Sequence, residues 1–244
     1  VSGEGFDVNT LSLKTRSQIR SIEIMGKRLQ NIVLDGTLAS KQFNGIIDSN
    51  DAHANGRVEG KIDFSTQRIF ADVKGSIQHL NLAYFGVDGG GAQIVRGNVD
   101  GKISFTDIND LDLTADLNEV VFDGAKKIAI PNGALKVTFE DGNRLVNVDM
   151  PNVVTGEIRG RYNLGDLGKM LQSAFDKVLV GAEAHKVYRG QNFTFNFDVH
   201  QNLINYFAPN ITIPNGANVS GNYNGNSNDL VMNADAAALT YIMT

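Results

Sequence analysis

Arg57-Val58-Glu59-Gly60-Lys61-Ile62-Asp63-Phe64 alternates strictly, with Val58, Gly60, Ile62 and Phe64 against Arg57, Glu59, Lys61 and Asp63. A period of two places every second side chain on one face of an extended chain, so this stretch reads as a β-strand with one dry and one wet face. The pattern resumes as Ile69, Ala71, Val73, Gly75 and Ile77 against Arg68, Asp72, Lys74 and Ser76. Similar ribbons run through residues 32–38, 99–105, 111–117, 135–139, 145–148, 158–164, 193–199, 219–223 and 230–234. The sequence therefore predicts an all-β fold.

Turn chemistry separates the ribbons. Asp123-Gly124, Asn132-Gly133, Asp141-Gly142-Asn143 and Asn224-Gly225 accept the positive backbone angles of tight hairpins. Ribbons joined this way are mainly antiparallel, and they amount to roughly ten to thirteen strands. A weak repeat underlies them. Val58-Glu59-Gly60-Lys61-Ile62-Asp63-Phe64 is echoed by Val99-Asp100-Gly101-Lys102-Ile103-Ser104-Phe105, glycine to glycine 41 residues apart. Looser copies stand at Ile158-Arg159-Gly160-Arg161-Tyr162 and Val219-Ser220-Gly221-Asn222-Tyr223, and Ile-Pro-Asn-Gly-Ala occurs from Ile130 and again from Ile213. Repeats of one small unit, covering about residues 32–117, 118–164 and 192–236, predict a single elongated stack with a continuous apolar strip. The irregular spacing leaves a β-sandwich, in which glycine marks bulges, as the alternative.

One segment breaks the period. Leu167, Met170, Leu171, Ala174, Phe175, Val178 and Leu179 lie at helical spacing behind the N-cap candidates Asn163 and Asp166. An amphipathic helix is predicted over residues 166–180, either a lid on a sheet face or a closure of the core. Shorter helical turns are predicted at residues 80–85 and 203–207.

Composition narrows the function. The chain has 244 residues, 42% hydrophobic and 20% charged, which is enough apolar content to fold. A formal charge of -5 argues against nucleic-acid binding, which needs clustered Lys and Arg to neutralise phosphates. Cysteine is absent, and with it disulfides and thiol chemistry. No run of apolar residues reaches the length of a membrane span. The start at Val1 and the apolar stretch near Met243 read as cuts within a longer protein.

Catalytic and metal signatures are missing. His53, His79, His185 and His200 are scattered. Asp48-Ser49-Asn50-Asp51 and Asp107-Ile108-Asn109-Asp110 open like calcium loops but lack the required glycine and terminal glutamate. Asp88-Gly89-Gly90-Gly91 lacks the spacing of a phosphate-binding loop, and no nucleophile elbow occurs. No enzyme activity and no cofactor are expected.

Phe43-Asn44-Gly45-Ile46-Ile47-Asp48-Ser49-Asn50-Asp51 leading to Gly60-Lys61-Ile62-Asp63-Phe64, then Gly160-Arg161-Tyr162 and Gln191-Asn192-Phe193-Thr194-Phe195, resemble the TamB proteins of Bacteroidetes-type bacteria, relatives of AsmA-like proteins. The resemblance covers most of the chain through short motifs. It implies an internal periplasmic segment of a protein anchored in the inner membrane, folded as an elongated, curved β-sheet groove (a β-taco). The roles it implies are phospholipid transfer to the outer membrane and assembly of outer-membrane proteins with a barrel partner. On that reading lipid acyl chains are the ligand. The groove lining falls to Val58, Ile62, Phe64, Ile69, Val73, Ile77, Val99, Ile103, Phe105, Leu111, Leu113, Leu117, Ile158, Tyr162, Phe193, Phe195, Phe197 and Tyr223. The competing reading is an interaction module, an adhesin or carbohydrate binder, on a β-sandwich or solenoid. A polysaccharide-active enzyme would need clustered carboxylates in a cleft.

Overall fold

The alternating ribbons become strands, and the all-β, mainly antiparallel fold expected from them is the fold observed. The structure, a computed structural model, describes residues 2–4, 12–24, 26–85, 94–107, 109–123, 127–167, 170, 188–207, 211–238 and 240–241. The chain divides into two compact units, Val1–Asn132 and Gly133–Thr244.

The first unit holds β1 (Ser2–Glu4), β2 (Ser12–Ile24), β3 (Lys27–Ala39), β4 (Gln42–Asn50), β5 (Ala54–Asp63), β6 (Ile69–Asn81), β7 (Ile94–Phe105) and β8 (Asp112–Asp123). They form an open meander in which each strand pairs with those before and after it in sequence, all antiparallel. The register sorts the side chains into rows that cross the sheet. One dry row is Leu13, Leu38, Phe43, Ile62, Ala71, Ile103 and Leu113. Two residues along each strand lies a row of small side chains: Thr15, Gly36, Gly45, Gly60, Val73, Gly101 and Ala115. Two further on come Ser17, Leu34, Ile47, Val58, Gly75, Val99 and Leu117.

The small row has a steric cause. Gly60 has φ of 151°, a conformation residues with a Cβ avoid, and a Cβ there would stand 2.0 Å from the carbonyl oxygen of Asp72 on β6. Gly36 and Gly45 face each other so closely that a Cβ on either would meet the neighbouring strand's backbone within 2.4 Å. Glycines inside strands permit such close approach and local bending.

The opposite face of this unit is wet. Its cross-strand ion pairs, Arg57–Asp48 at 3.1 Å, Lys102–Asp72 at 3.3 Å, Arg16–Asp35 at 3.7 Å and Lys74–Asp100 at 4.0 Å, are solvent-exposed. Each is worth at most about 1 kcal/mol, but their sign pattern fits only the observed register. Arg68 is a stronger tie. From the β5–β6 connection it donates to Asp110 (2.8 Å), Asp112 (2.7 Å), the Ser104 hydroxyl and the carbonyls of Ser104 and Asp110, binding that turn to the ends of β7 and β8.

The unit boundary falls within β9 (Lys127–Glu140), and the second unit is built on its part from Gly133, β10 (Asn143–Met150), β11 (Val154–Arg161), β12 (Asn192–Val199), β14 (Ala217–Asn224) and β15 (Asp229–Asp235), paired antiparallel in that order. Between β12 and β14 the chain forms α1 (Gln201–Phe207) and β13 (Ile211–Thr212), which pairs with β16 (Thr240–Tyr241). Gln201 holds this excursion, receiving the Ile213 N–H at 2.6 Å and donating to the Ile211 carbonyl at 3.0 Å.

The Asp141-Gly142 turn joins β9 to β10 with φ of 50° and 74°, as its chemistry predicts. Asn132-Gly133 does not turn: it lies inside β9. There the buried side of the strand changes, from Ile128 and Ile130 before it to Val137 after it, so the pair serves a change of face. The predicted helical turn at 203–207 falls within α1. At 80–85, β6 runs on to Asn81 and a turn follows. Of the helix predicted over 166–180, a short 3-10 turn, Leu164–Asp166, and the positions of Leu167 and Met170 are described; residues 168–169 and 171–180 lie outside the described residues, as do Asp88-Gly89-Gly90-Gly91 and His185.

Candidate functional site

The apolar rows of the first unit are the candidate site. A sheet face covered by a second layer buries its side chains almost completely. Here Leu13, Leu34, Leu38, Ile47, Val58, Ile62, Val73, Val99, Ile103, Leu113 and Leu117 are all only half-buried. Within the rows full burial occurs at Phe43 and at Ala115 of the small row; Leu111, just before β8, and Leu29, Ile32 and Val120, beyond the rows, are also buried. The Phe43 ring lies against Gly36, filling the space a Cβ would take. The face is thus an apolar bed with a low central track, glycine at four of its seven positions, between two banks made mostly of Leu, Ile, Val and Phe. Six strand spacings of ~4.8 Å from β2 to β8 make it roughly 29 Å across.

Most of the lining predicted from sequence in this unit lies on that face. Val58, Ile62, Val73, Val99, Ile103, Leu113 and Leu117 belong to its rows; Ile69 and Phe105 pair with each other at one margin, and Ile77 pairs with Gly97 at the other. Phe64 falls beyond the end of β5 and is 41% exposed. Phe70, which the alternation leaves among charged residues, is 49% exposed on the wet face.

In the second unit the predicted residues divide. Tyr162, Phe193 and Tyr223 are buried with Met170 and Tyr188 in a closed cluster, against which Ile158, Leu164, Leu167, Phe195 and Leu230 pack. Phe193 meets Tyr162 edge-on at 5.4 Å and stacks on Tyr223 at 5.1 Å. The Tyr223 hydroxyl donates to Asn228 at 2.8 Å. Burial pushes the Tyr162 hydroxyl up to about 12 against the opposing pull of Arg144, and burial with the neighbouring Tyr188 pushes Tyr223 up to about 12. This part of the second unit is an ordinary packed core. Beyond it, Phe195 and Phe197 are half-buried on β12, opposite Gly221 and Gly156 respectively, and Met232 on β15 is 48% exposed.

The calcium-like stretches carry structural duties. Asp51 is buried and accepts the backbone N–H groups of Gln30 and His53, each at 2.7 Å. Asp110 accepts those of Thr106 and Asp107 besides taking Arg68. For Asp110, desolvation opposes ionisation but is outweighed by these N–H groups, the Thr106 hydroxyl and Arg68, so its carboxyl titrates below the ordinary 3.8. His53 stacks flat on Tyr84 at 3.9 Å. Among the described residues no group of three or more His, Asp or Glu is placed to hold a metal ion.

No family model matches the chain, and neither a curated protein nor a solved structure matches it. Among the described residues no helix is long and apolar enough to cross a membrane. Sequence reasoning missed the low track, because its glycines sit on different strands and become neighbours only through pairing. A usable signal was present: Gly36, Gly45, Gly60 and Gly101 each stand on the dry phase of their own ribbon.

Proposed function

We propose that the dry face of the first unit is a bed for lipid acyl chains in a cell-envelope protein of the TamB/AsmA-like type. In this reading the chain is a periplasmic, non-enzymatic segment of an inner-membrane-anchored protein, serving phospholipid transfer to the outer membrane and the assembly of outer-membrane proteins. The observation that carries it is the half-burial of eleven aliphatic side chains on one continuous face. A sixteen-carbon chain exposed to water costs about 13 kcal/mol at ~0.8 kcal/mol per methylene, and a dry bed removes most of that cost. The bed's width of roughly 29 Å is about twice the ~15 Å depth of one bilayer leaflet's acyl layer, so a whole chain fits across it.

The test is mass spectrometry of organic extracts from protein purified from a bacterial host. Phospholipid should co-purify with the native chain and fall at least tenfold in Ile103→Glu, which places a charge in the bed, while Lys102→Glu on the wet face leaves it unchanged. Equal lipid in all three proteins, or none in the native chain, overturns the reading.

A further inference from the structure

The wet face of the second unit differs in kind from that of the first. On β5 the outward positions are Arg57, Glu59, Lys61 and Asp63, and ion pairs such as Arg57–Asp48 tie them to their neighbours. On β14 all four outward positions, Asn218, Ser220, Asn222 and Asn224, are uncharged amides or hydroxyls, and on β12 only Asp198 departs from that rule. Pairing sets Asn192 beside Asn224, Thr194 beside Asn222 and Asn196 beside Ser220. Asparagine is disfavoured in strands, yet it fills five outward positions of these two; a local preference overridden repeatedly in one place points to function. Asn218 donates to Asn196 at 2.9 Å and to Asp198 at 3.0 Å, which holds the amides in place. The face has two hollows. One, of about 350 Å³, is lined by Arg159, Thr194, Asn222 and Asn224 among others; the second, of about 510 Å³, by Asp198, His200, Asn218 and Asp235 among others. They lie towards opposite ends of β12, whose outward residues from Asn192 to Asp198 span roughly 20 Å at ~3.3 Å per residue.

We infer that this face binds a neutral polysaccharide laid along β12 and β14, a site separate from the lipid bed and independent of it. A side-chain amide offers two donors and an acceptor, which matches a sugar hydroxyl, itself donor and acceptor. Its side chain is short, so ordering it on binding costs less than ordering Lys or Glu. Other occupants fit less well. An added strand finds no edge here, because β12 and β14 are each paired on both sides. A phosphate polymer meets Asp198, Asp229 and Asp235. An apolar surface finds a single apolar side chain, Val231, on the outward positions of β11, β12, β14 and β15. Those strands turn no aromatic ring outward to stack one sugar, so affinity has to come from several sugars held at once. The ligand is therefore a polymer.

Electrophoresis of the full chain in native gels cast with dextran, laminarin, mannan or xylan tests this. The mobility of the native chain should fall as the concentration of at least one of these polymers rises, which gives a Kd. Asn196→Thr/Asn222→Thr keeps the surface polar and suits a strand better, so it should raise that Kd at least tenfold while its urea midpoint stays at or above the native one. Asn98→Thr/Asn118→Thr, on the wet face of the first unit, should bind like the native chain. Retention by none of the four polymers, an unchanged Kd in the first variant, or equal losses in both variants would overturn the inference. A lowered midpoint in the first variant would do so too, because it would make the amides structural.

Discussion

Replacing Gly60 with alanine tests the close approach of β5 and β6. The new Cβ would stand 2.0 Å from the Asp72 carbonyl oxygen and 2.8 Å from the Val73 Cα. Carbon and carbonyl oxygen settle at roughly 3.3 Å or more, so β6 must retreat by about 1 Å there. That loosens about two ladder hydrogen bonds at ~1 kcal/mol each. The φ of 151° adds strain for a residue with a Cβ, on the order of 1–3 kcal/mol. The expected loss is about 3–5 kcal/mol. Gly26 gives the comparison: its φ is 69° but nothing lies within 4 Å of an added Cβ, so Gly26→Ala should cost only about 1–2 kcal/mol. Gly101→Ala, where the nearest atom is 2.8 Å away and the backbone is ordinary, should fall between them. Urea unfolding followed by far-UV circular dichroism reads the differences as shifts in midpoint at constant slope. If Gly60→Ala and Gly26→Ala agree within about 1 kcal/mol, the steric account of the small row is wrong.

Further expectations concern ties and titrations. Arg68→Ala should cost about 1–3 kcal/mol, and Arg68→Lys should recover little of it, since one ammonium cannot serve Asp110, Asp112 and two carbonyls together; thermal unfolding decides. Asp110, and Asp63 through the Ser65 hydroxyl and N–H, have folded carboxyl pKa values below the ordinary 3.8. Their contribution to stability is present above that value and should fade as pH falls below it, a loss that Arg68→Ala should diminish for Asp110. Tyr162 and Tyr223, held near 12, and Tyr188, which burial also raises, should ionise later in the folded chain than in the unfolded one, seen as a delayed phase in tyrosinate absorbance that urea abolishes. For them the unfolded state ionises first, so stability should decline from pH 10 towards 12.

Strand identity was legible because it rests on side chains within one ribbon: the charged phase of residues 57–63 and the dry phase of 58–62 need no knowledge of any partner. What partners contribute was not legible. Phe64 continues the dry phase of β5 but lies past the last paired residue, where the chain turns away. Tyr162, Phe193 and Tyr223 look the same in sequence as Ile103 or Val99, yet Met170 and Tyr188 cover them and leave the others open. Asn132-Gly133 misleads for a related reason. The dipeptide permits a reversal but does not compel one, and the change from even to odd buried positions across it shows which use the strand makes of it.

The meander of the first unit has a developmental corollary. Since β2 to β8 bond only to their predecessors and successors, the smallest change that preserves every downstream direction is two strands, not one. A tandem copying event that inserted a hairpin would widen the apolar bed by about 10 Å and leave the flanking ladders intact, whereas a single-strand insertion would point everything after it the wrong way. Nearest-neighbour pairing also lets each hairpin close before the next is made, which suits a polypeptide that emerges from one end.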